Sequence, residues 1–257
     1  MSKLIKIDYP AEGVMLITLN DAEHMNAFSA QMLADLNEAI RSADASGEVR
    51  CAVITGAGKA FVAGADIKYM SSLTPQEAIT YSKNTTAIYN LIESSSTVFI
   101  AAVNGYALGA GLELTLACDI RLSSEYGKFG LPETGLGIIP GGHGTQKLPR
   151  IVGSAKAKEM IFLGQTIRAQ EARELGIINR ICESGNLVDS AVEMAAEIAS
   201  GASLAIGYAK AAVNASCYMD EKTGYEYEEK LFGLCFSSDE QKEGMQAFTE
   251  HRKANFK

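Results

Sequence analysis

The chain has 257 residues, 47% of them hydrophobic and 21% charged, with a net charge of −8 at pH 7. That composition supplies a packed core and excludes wholesale disorder. The acid excess, with a sequence pI near 5.0, argues against a general nucleic-acid or anionic-membrane surface, and no uninterrupted apolar run reaches the roughly 18–20 residues of a spanning helix.

The first residues, Met1 to Lys6, enter a strand pattern at once, so neither a signal nor a transit peptide is expected. Residues 4–8 and 14–19 read as a hairpin, with the turn at 10–13. Ser29 is a helix cap for a predicted helix over 30–45, with Met32, Leu33, Leu36 and Ile40 on one face. Residues 51–55 form a short buried strand closed by Gly56-Ala57-Gly58. In the segment Phe61-Val62-Ala63-Gly64-Ala65-Asp66-Ile67-Lys68, Gly64 can bring the backbone close to a ligand, although a plain strand-to-helix turn would look the same. Thr74-Pro75-Gln76-Glu77 combines a cap, a proline and a third-position glutamate, which predicts a long helix to about residue 93.

The next stretch organises the chain. The apolar run 98–103 reads as a buried strand stopped by Asn104-Gly105, and Gly109-Ala110-Gly111 then leads into a helix over 112–118. Such a turn exposes backbone N–H groups at a helix start. Glu113 sits between Leu112 and Leu114 with no evident solvent face. Burial of an unpaired carboxylate raises its pKa and marks a candidate general acid or base. Glu133, behind Pro132 in Phe129-Gly130-Leu131-Pro132-Glu133, is a second lone acid in apolar surroundings. Two such groups are the raw material of paired acid–base chemistry.

A further strand is expected over 119–123. The glycine cluster Pro140-Gly141-Gly142-His143-Gly144 precedes a helix, as a phosphate loop would, but lacks the Gly-Lys-Ser/Thr ending. His143 reads as structural or pocket-lining, because no nucleophile stands near it. Helices are expected over 154–163 and 169–175, then a strand over 177–181. After that only helices recur, over 188–200, 203–216, 224–235 and 239–251. Cys51, Cys118, Cys182, Cys217 and Cys235 are scattered, without metal-ligand spacing. They read as mostly buried free thiols in a reducing compartment, here the cytoplasm. His24, His143 and His251 are far apart, so no metal site is expected.

These motifs in this order resemble the enoyl-CoA hydratase/isomerase (crotonase) family: residues 61–68, Ala101-Ala102-Val103-Asn104-Gly105-Tyr106-Ala107-Leu108-Gly109-Ala110-Gly111, Leu131-Pro132-Glu133, and Leu136-Gly137-Ile138-Ile139-Pro140-Gly141. The resemblance implies an α/β fold, a spiral of ββα turns over 1–190, followed by a helical oligomerisation region over 191–257. It implies homotrimers that stack in pairs as hexamers. It also assigns roles. Glu113 and Glu133 become catalytic, and the N–H groups of Ala65 and Ala110 become an oxyanion hole. Ala63, Gly64, Ala65, Asp66, Ile67, Lys68, Gly109 and Ala110 become substrate contacts, with Met25, Asn26 and Ala27 holding the pantetheine and adenosine end of CoA. The implied reaction is reversible addition of water to a trans-2-enoyl-CoA. No cofactor is implied, since CoA belongs to the substrate, and neither nucleic acid nor membrane is an expected partner. Ala110 stands where many hydratases have glycine, Leu112 where cysteine is frequent, and His143 where a small residue is usual, which leaves acyl preference open. Isomerisation, hydration of cyclic or branched enoyl-CoA, and a non-catalytic RNA- or protein-binding role are the alternatives.

Overall fold

The computed structural model describes residues 4–256; residues 1–3 of the expected amino-terminal strand lie outside them. Strands β1 (Ile5–Ala11) and β2 (Val14–Leu19) pair antiparallel, from Ile5 opposite Leu19 to Ala11 opposite Val14. The register breaks between Asp8 and Ala11, so Pro10 lies inside β1 and the turn shrinks to Glu12-Gly13. An edge strand tolerates proline at such an irregularity, and β1 is an edge strand. Helix α1 (Ala30–Ala45) starts where expected, with the Ser29 side chain accepting from Met32 N.

From here the chain repeats one device. Strands β3 (Cys51–Gly56) and β4 (Ala60–Val62) lead to α2 (Ile67–Met70) and α3 (Pro75–Ser94). Strands β5 (Val98–Val103) and β6 (Tyr106–Leu108) lead to α4 (Ala110–Ala117). Strands β7 (Ile120–Ser124) and β8 (Lys128–Gly130) lead, through a 3₁₀ turn at Glu133–Leu136, to α5 (Gly144–Val152) and α6 (Ser154–Phe162). The longer strand of each pair joins a six-stranded sheet, completed by β10 (Arg180–Cys182), in the order β1-β2-β3-β5-β7-β10. The shorter one joins a four-stranded sheet, completed by β9 (Thr166–Arg168), in the order β4-β6-β8-β9. All pairings inside the repeat are parallel. Each turn of the spiral therefore adds one strand to each sheet. The central strands β3 and β5 are buried on both faces, as parallel strands under helices must be.

The last strand begins later than the 177–181 expected from its apolar run. The N–H groups of Ile177 and Ile178 both donate to Ala172 O, closing α7 (Ala169–Glu174), so pairing with β7 starts only at Arg180. Helices α8 (Leu187–Ala199), α9 (Ser203–Ala215), α10 (Glu221–Cys235) and α11 (Asp239–Thr249) follow. The expected division at residue 190 falls inside α8. Ala191, Ala195 and Ala199 of that helix pack against Val14, Val53, Ile100 and Leu122 of the sheet. α8 therefore packs on the six-stranded sheet.

One buried ion pair pins α9 to the sheet. Lys210 Nζ lies 2.9 Å from Asp119 Oδ2 and donates to Ile92 O and Thr97 O, both at 2.7 Å. Asp119 Oδ2 also accepts from Phe99 N at 2.8 Å. Of the five free thiols, Cys51, Cys118 and Cys182 are buried and Cys217 is exposed. Among the described residues, no helix is long and apolar enough to cross a membrane.

Candidate active site

The short sheet exists to deliver two loops. Because β4 and β6 are parallel, with Val62 opposite Ala107, the segments that leave them run side by side. Three residues beyond that pair stand Ala65 and Ala110. Gly64 and Gly109 allow the close approach: a Cβ on Gly109 would lie 3.8 Å from Gly64 Cα and 3.0 Å from Glu133 Oε1. Gly109 also holds φ 54° and ψ −121°, a region open to glycine and costly to other residues. Ala110 opens α4, so its N–H has no partner within the helix. Ala65 bridges to Phe28 through its neighbours. Phe28 N donates to Gly64 O and Asp66 N donates to Phe28 O, while no backbone acceptor takes the Ala65 N–H among the described residues. Two N–H groups are thus left just past the carboxy-terminal ends of β4 and β6, at one rim of the small sheet.

A cleft of ≈ 840 Å³ opens over this edge. Ala63, Gly64, Ala65, Ile67, Gly109, Ala110, Glu113 and Glu133 all line it. Met70, Leu73, Ala78 and Tyr81 form an apolar wall on the α2–α3 side. Of the expected substrate contacts, Met25, Asn26, Ala27, Asp66 and Lys68 do not line it. Asn26 is fully buried, with its side chain accepting from Asp21 N and donating to Ala57 O and Ala60 O. It shapes its loop and has no donor left for a ligand. Asp66 caps α2 by accepting from Tyr69 N.

Glu113 is 3% exposed and stands in the first turn of α4. Its Oε1 accepts from Gly142 N at 2.7 Å and Gly144 N at 3.0 Å, at the start of α5. Burial raises its pKa above the usual carboxylate range, and these two N–H bonds offset only part of that rise. The glycine cluster at 141–144 therefore offers its N–H groups to the chain's own carboxyl group. A Cβ on Gly142 would stand 2.3 Å from Glu113 Oε2, so glycine is required by close approach. Glu133 lacks that pair of donors, with only its own backbone N–H acting on it. Its Oε2 is shielded from solvent and has no hydrogen-bond partner among the described residues. Burial, with the Glu113 charge adding to it, pushes its pKa up to about 7. The pair is asymmetric: burial raises both carboxyls, but only Glu113 has two neighbouring backbone N–H groups that favour its ionised form.

Tyr89 was not singled out in the sequence. It is fully buried on α3, and its hydroxyl donates to Ala110 O at 2.9 Å, which fixes the peptide after the Ala110 N–H. Its place in the Ile88-Tyr89-Ile92 stripe was the available signal.

The description enoyl-CoA hydratase/isomerase fits the chain over residues 10–257. The crotonyl-CoA hydratase of Syntrophomonas wolfei is 40% identical over 246 residues, covering 95% of each chain. The short-chain-enoyl-CoA hydratase of Clostridium acetobutylicum is 40% identical over 241 residues, covering 93% of this chain and 92% of its own. The crystal structure of the enoyl-CoA hydratase from Bacillus anthracis superposes with a TM-score of 0.94 at 36% identity, covering 99% of both chains. With a matching family across nearly its whole length and relatives at this identity, the chain belongs to the enoyl-CoA hydratase/isomerase family.

Proposed function

We propose that the protein is an enoyl-CoA hydratase, a hydro-lyase that adds water reversibly across the C2=C3 bond of a trans-2-enoyl-CoA. The observation that carries this is the asymmetric carboxyl pair, Glu113 and Glu133, opening into one apolar cleft beside unpaired N–H groups. In this reading the thioester carbonyl lies against Ala65 N–H and Ala110 N–H. As water adds at C3, negative charge builds on that oxygen, and fixed dipoles stabilise it without reorganising. Each such donor contributes about 3–4 kcal/mol to lowering the barrier. Glu113, cradled as the anion, takes a proton from water. Glu133, which favours its protonated form, delivers one to C2. The two titrate as a coupled pair. The apolar wall of Met70, Leu73, Ala78 and Tyr81 receives the acyl chain. No metal or redox group has a step in this scheme; CoA arrives with the substrate.

Two coarser features support a wider reading. Val213, Tyr225, Phe232 and Phe248 are more than half exposed on the carboxy-terminal helices. Large exposed apolar side chains of this kind fit an oligomer interface, and a homotrimer or a pair of trimers built on this helical tail is part of the proposal. Three buried free thiols fit a reducing compartment such as the cytoplasm.

The test is water addition to crotonyl-CoA, followed as loss of the enoyl-thioester absorbance. Saturable turnover is expected, with a loss of about 100-fold or more in Glu113→Gln and Glu133→Gln. Unchanged rates in both variants would remove the proposal.

A further inference from the structure

The segment that cradles Glu113 has little of its own to hold it in place. From residue 137 to 144 it reads Gly-Ile-Ile-Pro-Gly-Gly-His-Gly, half of it glycine. Glycine leaves the backbone its greatest freedom. Yet both donors to Glu113 Oε1 lie within it. A cradle that wandered would lose its hold on the carboxylate.

The opposite side of the cleft supplies a tie. Ser82, on α3, donates its hydroxyl to Gly141 O at 2.6 Å. That carbonyl and the N–H of Gly142 belong to the same planar peptide group. One end of this peptide is held by Ser82 and the other by Glu113 Oε1 at 2.7 Å. The arrangement is a continuous chain: hydroxyl to carbonyl, through the peptide, then N–H to carboxylate. Rotation of the peptide plane breaks both bonds at once. A donor on the carbonyl also polarises the amide and strengthens the N–H bond at its far end. Ser82 itself lines the cleft, where its side chain has room to be replaced.

We propose that Ser82 is a positioning residue for Glu113, acting through the 141–142 peptide to hold the base as an aligned anion. The inference rests on the hydratase reading and adds a residue to it. Ser82 touches neither water nor thioester in this account. Its contribution is transmitted to kcat and to the ionisation of Glu113, and leaves substrate affinity nearly untouched. Loss of the hydroxyl removes a bond that favours the ionised carboxylate, so the pKa of Glu113 rises. The acidic limb of the kcat/KM profile then moves to higher pH.

The experiment compares wild type, Ser82→Ala, Ser82→Cys and Ser82→Thr in crotonyl-CoA hydration across the pH range. S82A is expected to lose about tenfold in kcat, the worth of one hydrogen bond expressed as a rate. Its KM stays within about twofold, and its acidic limb shifts upward. S82T, which keeps the hydroxyl, recovers most of kcat and the wild-type profile, and S82C falls between. Activity ordered by side-chain volume, a loss confined to KM, or an S82A profile identical to wild type overturns the inference. A wild-type protein that fails to hydrate crotonyl-CoA refutes the underlying reading instead, so the two failures are distinguishable.

Discussion

Glu133→Gln separates stability from catalysis in a way that the site's electrostatics dictate. The replacement keeps the shape and removes the titration. Shifting this carboxyl from an ordinary 4.5 to about 7 means that the folded state disfavours its ionised form. At about 1.4 kcal/mol for each tenfold change in protonation, that is about 3.5 kcal/mol. The side chain is only partly buried, facing the cleft, and solvent screening reduces this to about 1.5 kcal/mol. The sign follows from proton binding. Between pH 4.5 and 7 the folded state holds the proton more often than the unfolded chain does, so this group's contribution to stability falls as pH rises. Wild type and E133Q should unfold alike near pH 4.5. By pH 8 the variant should be more stable by about 1.5 kcal/mol, measured by urea unfolding at matched protein concentration, since assembly also stabilises. Its crotonyl-CoA hydration should fall by about 100- to 10,000-fold over the same range. A stability difference independent of pH, or one favouring wild type at pH 8, would show that burial does not hold the Glu133 proton.

The same pair predicts a bell-shaped kcat/KM profile, with its basic limb near pH 7 where Glu133 loses its proton; a flat profile between pH 6 and 9 would contradict it. Ala110→Pro removes one N–H at the first position of α4, where proline is tolerated. It should fold and lose about 100- to 1,000-fold in kcat, read from crotonyl-CoA kinetics alongside circular dichroism. Lys210→Met strips the partner from Asp119 and should cost about 3–5 kcal/mol of stability, with much of that recovered in the double variant Lys210→Met/Asp119→Leu, measured by denaturant unfolding.

Much of the scaffold was readable because the relevant signals are local. The Ser29 cap and the Thr74–Glu77 capping box start their helices at the expected residues. The unbroken apolar run of β5 is a strand buried on both faces. Glu113, flanked by leucines, is buried as its neighbours required. The short sheet was less visible. β4, β6, β8 and β9 have three residues each, too few for an alternating pattern to register. Their register is what sets the Ala65 and Ala110 segments side by side, so the geometry behind the resemblance came only with the fold. The glycine cluster at 140–144 read only as an incomplete phosphate loop, because the group it holds, Glu113, lies about thirty residues earlier and is a purely tertiary partner. Asn26 entered only through the resemblance, and the three backbone groups that its side chain engages are tertiary partners with no local signal.

The most direct measurement follows hydration of crotonyl-CoA in water labelled with heavy oxygen, using wild type and the Glu113→Gln and Glu133→Gln variants. Wild type should give one labelled oxygen at C3 of the 3-hydroxyacyl product, and each variant a rate reduced by about 100-fold or more. A product carrying no solvent oxygen, or labelled product formed at the wild-type rate by both variants, would contradict the hydratase reading.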